Sequence, residues 1–217
     1  MPDTPTQTQA PAPTQAVRRR RWAAADHDQR RRLIVDTALD LLRRDGLDAV
    51  SMRRVAQRLG VGAMTLYTYI AGQDALRRHM IERGFEMLAE GCTQASTLNT
   101  PAGWRGGSRQ YLQFAIDHPN LYELMFRHPL PGDRTAEQLM ATGIAPLFDK
   151  VREQMRDQGA DAAERERHVR AAAGRFWIAL HGLASLAIAD RLSVLDSDLD
   201  HLLDDLLERV APQTRET

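Results

Sequence analysis

Hydroxyl and guanidinium groups gather in two short stretches of this 217-residue chain: Ser51 with Arg53 and Arg54, then Thr65, Tyr67, Thr68 and Tyr69. Such groups bond phosphate oxygens and the edges of bases. Gly60-Val61-Gly62 between them reads as a three-residue turn, and a longer periodic segment comes before. Two short helices joined in this way behind a supporting helix make the helix-turn-helix pattern, in which the second helix enters the DNA major groove. An ordinary αα-hairpin would use the same turn, and it is the outward hydroxyl face with its leading arginines that favours the DNA reading. Upstream, Arg18, Arg19, Arg20 and Arg21 form a compact cationic arm ending at Trp22. That arm suits either a solvated tail or a contact with the DNA backbone or minor groove.

Other chemistries find little support. GxSxG, HExxH, Walker and Rossmann glycine patterns are absent, and the seven histidines are scattered at 27, 79, 118, 128, 168, 181 and 201. Cys92 is the sole cysteine, so neither an intramolecular disulfide nor a CxxC zinc site is available. No catalytic residue, metal site or cofactor is therefore expected, and an all-helical enzyme would need a constellation assembled only in space. The chain has no uninterrupted apolar run of the roughly 18–20 residues that a membrane span needs. Its N-terminal stretch lacks the apolar core of a secretory signal. These features predict a cytoplasmic protein that does not span the membrane.

The elements that must hold these residues are helices. Apolar residues make up 43% and aromatics only 6%, with Ala, Leu and Arg abundant, a balance that argues against an all-β fold. The formal net charge is zero, yet residues 1–80 hold 14 Arg against 8 Asp while the remainder has 15 basic against 21 acidic side chains. Such a division suits one half that faces phosphates and one that does not. Met1–Ala16, with four Pro, four Thr and three Gln, is expected to be disordered. Ile34, Ala38, Leu41 and Leu42 then fall on one face of a helix from Asp28 to Arg44, with Asp28 as N-cap and Gly46 as its stop. Ser51 caps a short helix ending at Gly60, and Ala63–Ile70 forms the next, with Leu66 and Ile70 inward. Further helices are predicted from about Gln73 to Thr97, from Thr100-Pro101 to His118, over Leu121–Arg127 and over Arg134–Asp157. A capping box from Asp161 to Glu164 opens a long helix to about Arg191, and a Leu stripe after Asp196, Asp198 and Asp200 makes the last.

Ser51-Met-Arg-Arg-Val-Ala-Gln-Arg-Leu-Gly-Val61, Thr65-Leu-Tyr-Thr-Tyr-Ile70, Gly72, Asp74 and Leu76 together resemble the TetR family of bacterial transcriptional regulators, over Asp28–Met80. The resemblance implies an all-helical homodimer with an N-terminal DNA-binding domain and a larger ligand-binding and dimerisation domain. It further implies, for most members, a repressor released from its operator by a small molecule. By position, Ser51 would cap the second helix and bond a phosphate, and Arg53, beside Arg54, would reach a base edge or the backbone. Thr65, Tyr67 and Tyr69 would touch phosphates, while Gly62, Ala63 and Met64 would tune the operator sequence. Gln73 departs from the Lys common at its position, which removes a phosphate-binding cation that the Arg18–Arg21 arm could replace. Tyr69 stands where His or another aromatic is frequent.

Arg175-Phe176-Trp177 followed by His181-Gly182-Leu183, with Asp117-His118-Pro119-Asn120-Leu121-Tyr122 upstream, resembles the subgroup whose ligand domain carries a Trp-His-Gly signature. Trp177 and His181 stand i, i+4 on one helix face, which suits an indole stacked on a hydrogen-bonded histidine, and Gly182 permits close helix approach. Trp104, Tyr111, Phe114, Tyr122, Met125, Phe126, Met140, Phe148 and Trp177 could surround a mostly hydrophobic ligand, with His181 beside them. Leu and Ala stripes on the last two helices suit a four-helix bundle with a second subunit, and internal packing would give the same stripes. The expected organisation is a tail with its basic arm over 1–27, a helix-turn-helix domain over 28–79, a ligand-binding and dimerisation domain over 80–210, and a tail over 211–217. The expected partners are a double-stranded DNA operator, a small-molecule effector and a second copy. An architectural or interaction protein without ligand control is the alternative.

Overall fold

The computed structural model describes residues 15–95, 100–127, 145, 148–153, 161–195 and 198–210. The chain forms two compact units, Met1–Leu76 and Arg77–Thr217. All regular structure among the described residues is helical, so the all-α class follows as the composition predicts.

In the first unit α1 spans Gln15–Ala24, α2 His27–Asp45, a 3-10 turn Leu47–Ala49, α3 Met52–Leu59 and α4 Ala63–Tyr67. The basic stretch is therefore the body of a helix, with Trp22 and Ala25 buried beneath it. The N-cap of α2 is Asp26 and not Asp28: the Asp26 carboxylate accepts from the Gln29 N–H at 2.8 Å, and the Gln29 side chain accepts from the Asp26 N–H at 3.0 Å. That reciprocal box satisfies donors a helix start otherwise leaves open, and Asp28 stays in the first turn, where negative charge suits the helix dipole. Gly46 ends α2 with φ 79, a conformation that side-chain-bearing residues rarely adopt.

Ile34, Ala38, Leu41 and Leu42 of α2, Val55 and Leu59 of α3, Leu66 of α4, and Ile70 and Leu76 are all essentially inaccessible to water, and α3 packs on both α2 and α4. Each such Leu or Ile contributes roughly 1.5–3 kcal/mol on burial. Helices as short as α3 and α4 are not stable alone in water. They persist because their inward faces belong to this core.

α5, Gln73–Ala95, starts in the first unit and runs into the second, which continues with α6 Pro101–Asp117, α7 Pro119–Arg127, α8 Ala162–Ile188, a 3-10 turn Leu192–Leu195 and α9 Leu199–Val210. Residues 145 and 148–153 are also helical, and the rest of the expected Arg134–Asp157 helix, like the Met1–Thr14 part of the tail, lies outside the described residues. Thr100 caps α6 by accepting from the Gly103 N–H at 3.2 Å, with Pro101 in the first helical position, and Asp161 caps α8 through the Glu164 N–H at 2.7 Å. Both starts are where the sequence predicts them. α8 stops at Ile188 and not near Arg191, because Asp190 takes φ 52 and the Arg191 N–H turns back to the Leu186 carbonyl at 2.9 Å.

Val169, Ala173, Phe176, Leu180 and Ala184 bury one face of α8, which packs on α6 and α9. From Ala171 to Ile188 only Arg175 is charged, and among the described residues α8 is long and apolar enough to cross a membrane by length and composition. Its composition thus exceeds what the lack of an uninterrupted apolar run suggested, and its buried stripe accounts for it as a core helix. Ion pairs tie α9 to α6: Arg105 grips Asp204 with bonds of 2.6 and 2.9 Å and also reaches Asp200 at 3.9 Å, and Arg109 pairs with Asp200. The close approach of α5 and α6 depends on Gly106, where an added β-carbon would lie 2.4 Å from the Ala95 carbonyl oxygen.

Candidate nucleic-acid interface

α3 presents its arginines from a well-satisfied start. Ser51 Oγ accepts from the Arg54 N–H at 3.3 Å, as expected of an N-cap. Arg53 is exposed, whereas the Arg54 guanidinium donates to Asp45 Oδ2 at 2.8 Å and is tied to the end of α2. The two adjacent arginines therefore differ: Arg53 projects to solvent and Arg54 already has a carboxylate partner.

The turn to α4 is made by Gly60, which sits in the left-handed region at φ 74, ψ 32 while the Val61 N–H bonds the Ala56 carbonyl at 3.1 Å. Gly62 has an ordinary φ of −70, and an added β-carbon there would be 3.7 Å from Thr65 Oγ1. Gly60 alone is demanded by the backbone. α4 ends at Tyr67 and not at Ile70, because the Leu66 carbonyl accepts the N–H groups of both Tyr69 and Ile70 at 2.9 Å. Leu66 anchors the helix inward and leaves Met64 79% and Tyr67 50% exposed, with Thr65 and Thr68 also exposed and Ala63 half-buried. An exposed thioether, phenol and two hydroxyls on one short helix form a face suited to phosphates, base edges and thymine methyls.

Two residues expected in this face are turned into the domain. The Tyr69 hydroxyl accepts from Arg30 Nη1 at 2.9 Å, and its ring stands edge-on to Trp22 with centroids 5.4 Å apart. Gln73 donates from Nε2 to the Val50 carbonyl at 2.8 Å and accepts at Oε1 from the Met52 N–H at 3.3 Å. Neither role follows from local spacing, since each joins residues more than twenty positions apart. Arg19, Arg20 and Arg21 are exposed on α1, and Arg18 lies on the same helix.

The second unit holds a compact aromatic and polar cluster. Tyr122 OH lies 2.6 Å from His181 Nδ1 and 2.8 Å from Tyr111 OH, which is itself 3.4 Å from the same nitrogen. Phe126 meets Tyr122 and His181 with centroids 4.6 and 4.9 Å apart, and Trp177 lies at 5.5 Å from the His181 ring. Trp177 Nε1 is buried and has no hydrogen-bond partner among the described residues. Burial pushes both phenols well above their usual pKa, so they stay protonated. Burial, reinforced by Arg127, lowers that of His181 and favours the neutral ring.

Of the expected ligand residues, Tyr111, Tyr122, Phe126, Trp177 and His181 thus come together, with Met125 close by against Gly84. Trp104 belongs to a different neighbourhood, edge-on to Phe176 at 5.2 Å, and Phe114 packs on His118 at 5.0 Å. Phe148 is half-buried, and Met140 lies outside the described residues. Sequence reasoning missed Phe85, which packs edge-on to Phe126 at 5.5 Å, whereas Cys92 is a half-buried helix cysteine and burial pushes its thiol up to about 12. Their spacing of seven puts both on one face of α5, a signal the cluster's other members would have made useful. Gly182 has nothing within 4 Å of an added β-carbon among the described residues, so no close helix approach is seen there. Among the described residues no group of His, Cys, Asp or Glu is placed to hold a metal.

Residues 34–80 match the profile described as bacterial regulatory proteins, tetR family, and residues 104–210 match that of a tetracyclin repressor-like C-terminal domain. An uncharacterised HTH-type transcriptional regulator of Mycobacterium tuberculosis is 28% identical over 188 residues, which cover 83% of this chain and 79% of that protein. The HTH-type transcriptional repressor DrrR1 of Streptomyces coeruleorubidus is 31% identical over 52% of this chain and 43% of its own length. A solved structure of a protein of unknown function from Rhodococcus sp. RHA1 superposes with a TM-score of 0.70 at 21% identity, covering 88% of this chain and 98% of its own.

Proposed function

The chain belongs to the tetR family of bacterial regulatory proteins, transcriptional regulators and not enzymes, and on that premise we propose that it is a homodimeric repressor of a palindromic operator. The observation that carries this reading is the outward face of α4, where Met64, Thr65 and Tyr67 are exposed above the buried Leu66, with Arg53 exposed on the preceding helix α3. Ser51, Thr65 and Tyr67 would bond phosphates, Arg53 would read a base edge, and Gly62, Ala63 and Met64 would set preference through close approach and thymine methyls. Two recognition helices of a dimer, about 34–36 Å apart or somewhat more, would read the two half-sites. This role places the protein in the cytoplasm, where the DNA is.

The effector we propose is small and mostly hydrophobic, received near Phe126 and Trp177 with Tyr111, Tyr122 and His181 as polar contacts. The i, i+4 contact of Trp177 with His181, next to Gly182, supports placing the chain in the Trp-His-Gly subgroup. Release from DNA follows if the effector prefers a conformer with another half-site spacing, and the shift is limited by that difference in affinity. Dimerisation would use the outer face of α8, with exposed Ile178, Gly182 and Leu186, together with α9.

Selection of bound sequences from random duplex DNA at near-physiological salt tests the proposal. A palindrome with two half-sites is expected. Uniform binding without sequence preference would replace the repressor with an architectural DNA binder.

A further inference from the structure

We propose that α1 is a second DNA-contacting element, docked against the recognition region by a clasp of Trp22, Arg30 and Tyr69, with the duplex phosphate backbone as its partner; this rests on the DNA-binding reading above. α1 is a ten-residue helix, QAVRRRRWAA, with four consecutive arginines and no acidic residue. A helix of that length is marginal alone, and like charges along it oppose its formation. Something outside it must hold it.

That hold is at its last turn. Trp22 is 8% exposed, and α1 packs on α3. Arg30 of α2 donates from Nε to the Trp22 carbonyl at 3.2 Å and from Nη1 to the Tyr69 hydroxyl at 2.9 Å. Its guanidinium carbon lies 5.6 Å from the Trp22 ring centroid and 6.0 Å from that of Tyr69, within cation–π range, and the two rings meet at 86°. A cation at the carbonyl end of α1 also complements its dipole. Tyr69 lies just past the end of α4, so the clasp fixes α1 to the same backbone that carries Met64, Thr65 and Tyr67. Tyr69 is accordingly a positioning residue: its ring and the hydroxyl oxygen that accepts from Arg30 hold α1 in place.

With Trp22 turned inward, the helical repeat directs Arg20 to the opposite side and Arg19 and Arg21 to the flanks, and all three are exposed. A fixed triad of cations without a counter-charge on its helix is a phosphate-binding surface, since binding a polyanion releases condensed counterions. An anionic membrane surface would need an apolar face to insert, and the one large aromatic of α1 is buried.

The test uses the full-length protein and its selected duplex. Combined Arg19→Gln, Arg20→Gln and Arg21→Gln, which leaves the core untouched, is expected to flatten the plot of log affinity against log salt by about 0.9 for each phosphate that α1 neutralises. It should also remove backbone protection at one edge of each half-site in hydroxyl-radical footprinting. An unchanged slope and footprint overturn the proposal, and binding of α1 arginines to anionic phospholipid vesicles with the DNA footprint intact reassigns the helix to a membrane surface. Tyr69→Phe, which keeps the ring and removes the Arg30 bond, should blur only the α1 edge. Disappearance of protection under α4 instead would make Tyr69 a phosphate ligand. Failure of the unaltered protein to select any duplex would overturn the DNA-binding reading itself, a result distinct from all of these.

Discussion

The side-chain amide of Gln73 closes around the start of α3, with Oε1 accepting the Met52 N–H at 3.3 Å while Nε2 donates to the Val50 carbonyl at 2.8 Å. Met52 is the first residue of α3, whose N–H has no partner within the helix, and Ser51 Oγ takes the Arg54 N–H of the same turn. A lysine has no acceptor and cannot make the first of these bonds. The departure from Lys at this position therefore exchanges a cation for a bracket that fixes α3 on the start of α5.

Gln73→Lys is expected to lower stability by about 1 kcal/mol, the usual net worth of one hydrogen bond. It should also steepen the salt dependence of DNA binding as the new ammonium reaches a phosphate. Denaturant unfolding and a salt titration read the two effects separately, and unchanged stability would refute the bracket.

Arg53→Ala should cost roughly 1–3 kcal/mol of operator affinity and relax base preference at one position per half-site. Tyr67→Phe should weaken all sequences alike. Selection repeated with each variant makes the comparison. A uniform loss for Arg53→Ala would confine that side chain to the backbone.

Gly182 is exposed on the outer face of α8, with nothing among the described residues within 4 Å of an added β-carbon, so a larger side chain there meets none of them. Gly182→Leu and Ile178→Glu should leave helicity by circular dichroism unchanged and shift sedimentation from dimer to monomer. Persistence of the dimer in both would place the interface on another face.

His181 is harder to protonate in the folded chain, through burial first and Arg127 second, while Tyr111 and Tyr122 present their hydroxyls to its Nδ1. The unfolded chain therefore binds more protons between the ordinary histidine pKa near 6.5 and the lowered folded value. Stability from this site is complete above the unfolded pKa and is lost as pH falls toward the folded one. Tm should drop between pH 7 and 5, and His181→Gln should reduce that drop.

Several helix ends were legible from local determinants. Gly46, Ser51, Gly60, Thr100 and Asp161 all act within a few residues of the end they set. The start of α2 was not legible, because acidic residues stand at both 26 and 28 beside the periodic run and the deciding partner, Gln29, exchanges bonds with Asp26. The outward face of α4 was legible from Leu66 and Ile70. The inward turn of Tyr69 was not, because Arg30 lies 39 residues away and nothing in either neighbourhood announces the other. In the second unit the Trp177 and His181 pair follows from helical spacing, whereas the convergence of Tyr111, Tyr122 and Phe126 on it depends on how α6, α7 and α8 pack.

The charges that fasten α9 to α6 repeat along both helices with the same step. Arg105 with Asp204 and Arg109 with Asp200 run antiparallel, and α9 carries Glu208 one further turn along, while Leu199, Leu203 and Leu207 repeat in phase with them. Sliding α9 by a single turn would bring Arg109 to Asp204 and Arg105 to Glu208, and would seat Leu207 where Leu203 is now buried. The same pattern of acidic residues and leucines thus recurs one turn along α9. What sets the register is the length of chain between α8 and α9, so an insertion or deletion there would move the helix by a whole step rather than loosen it.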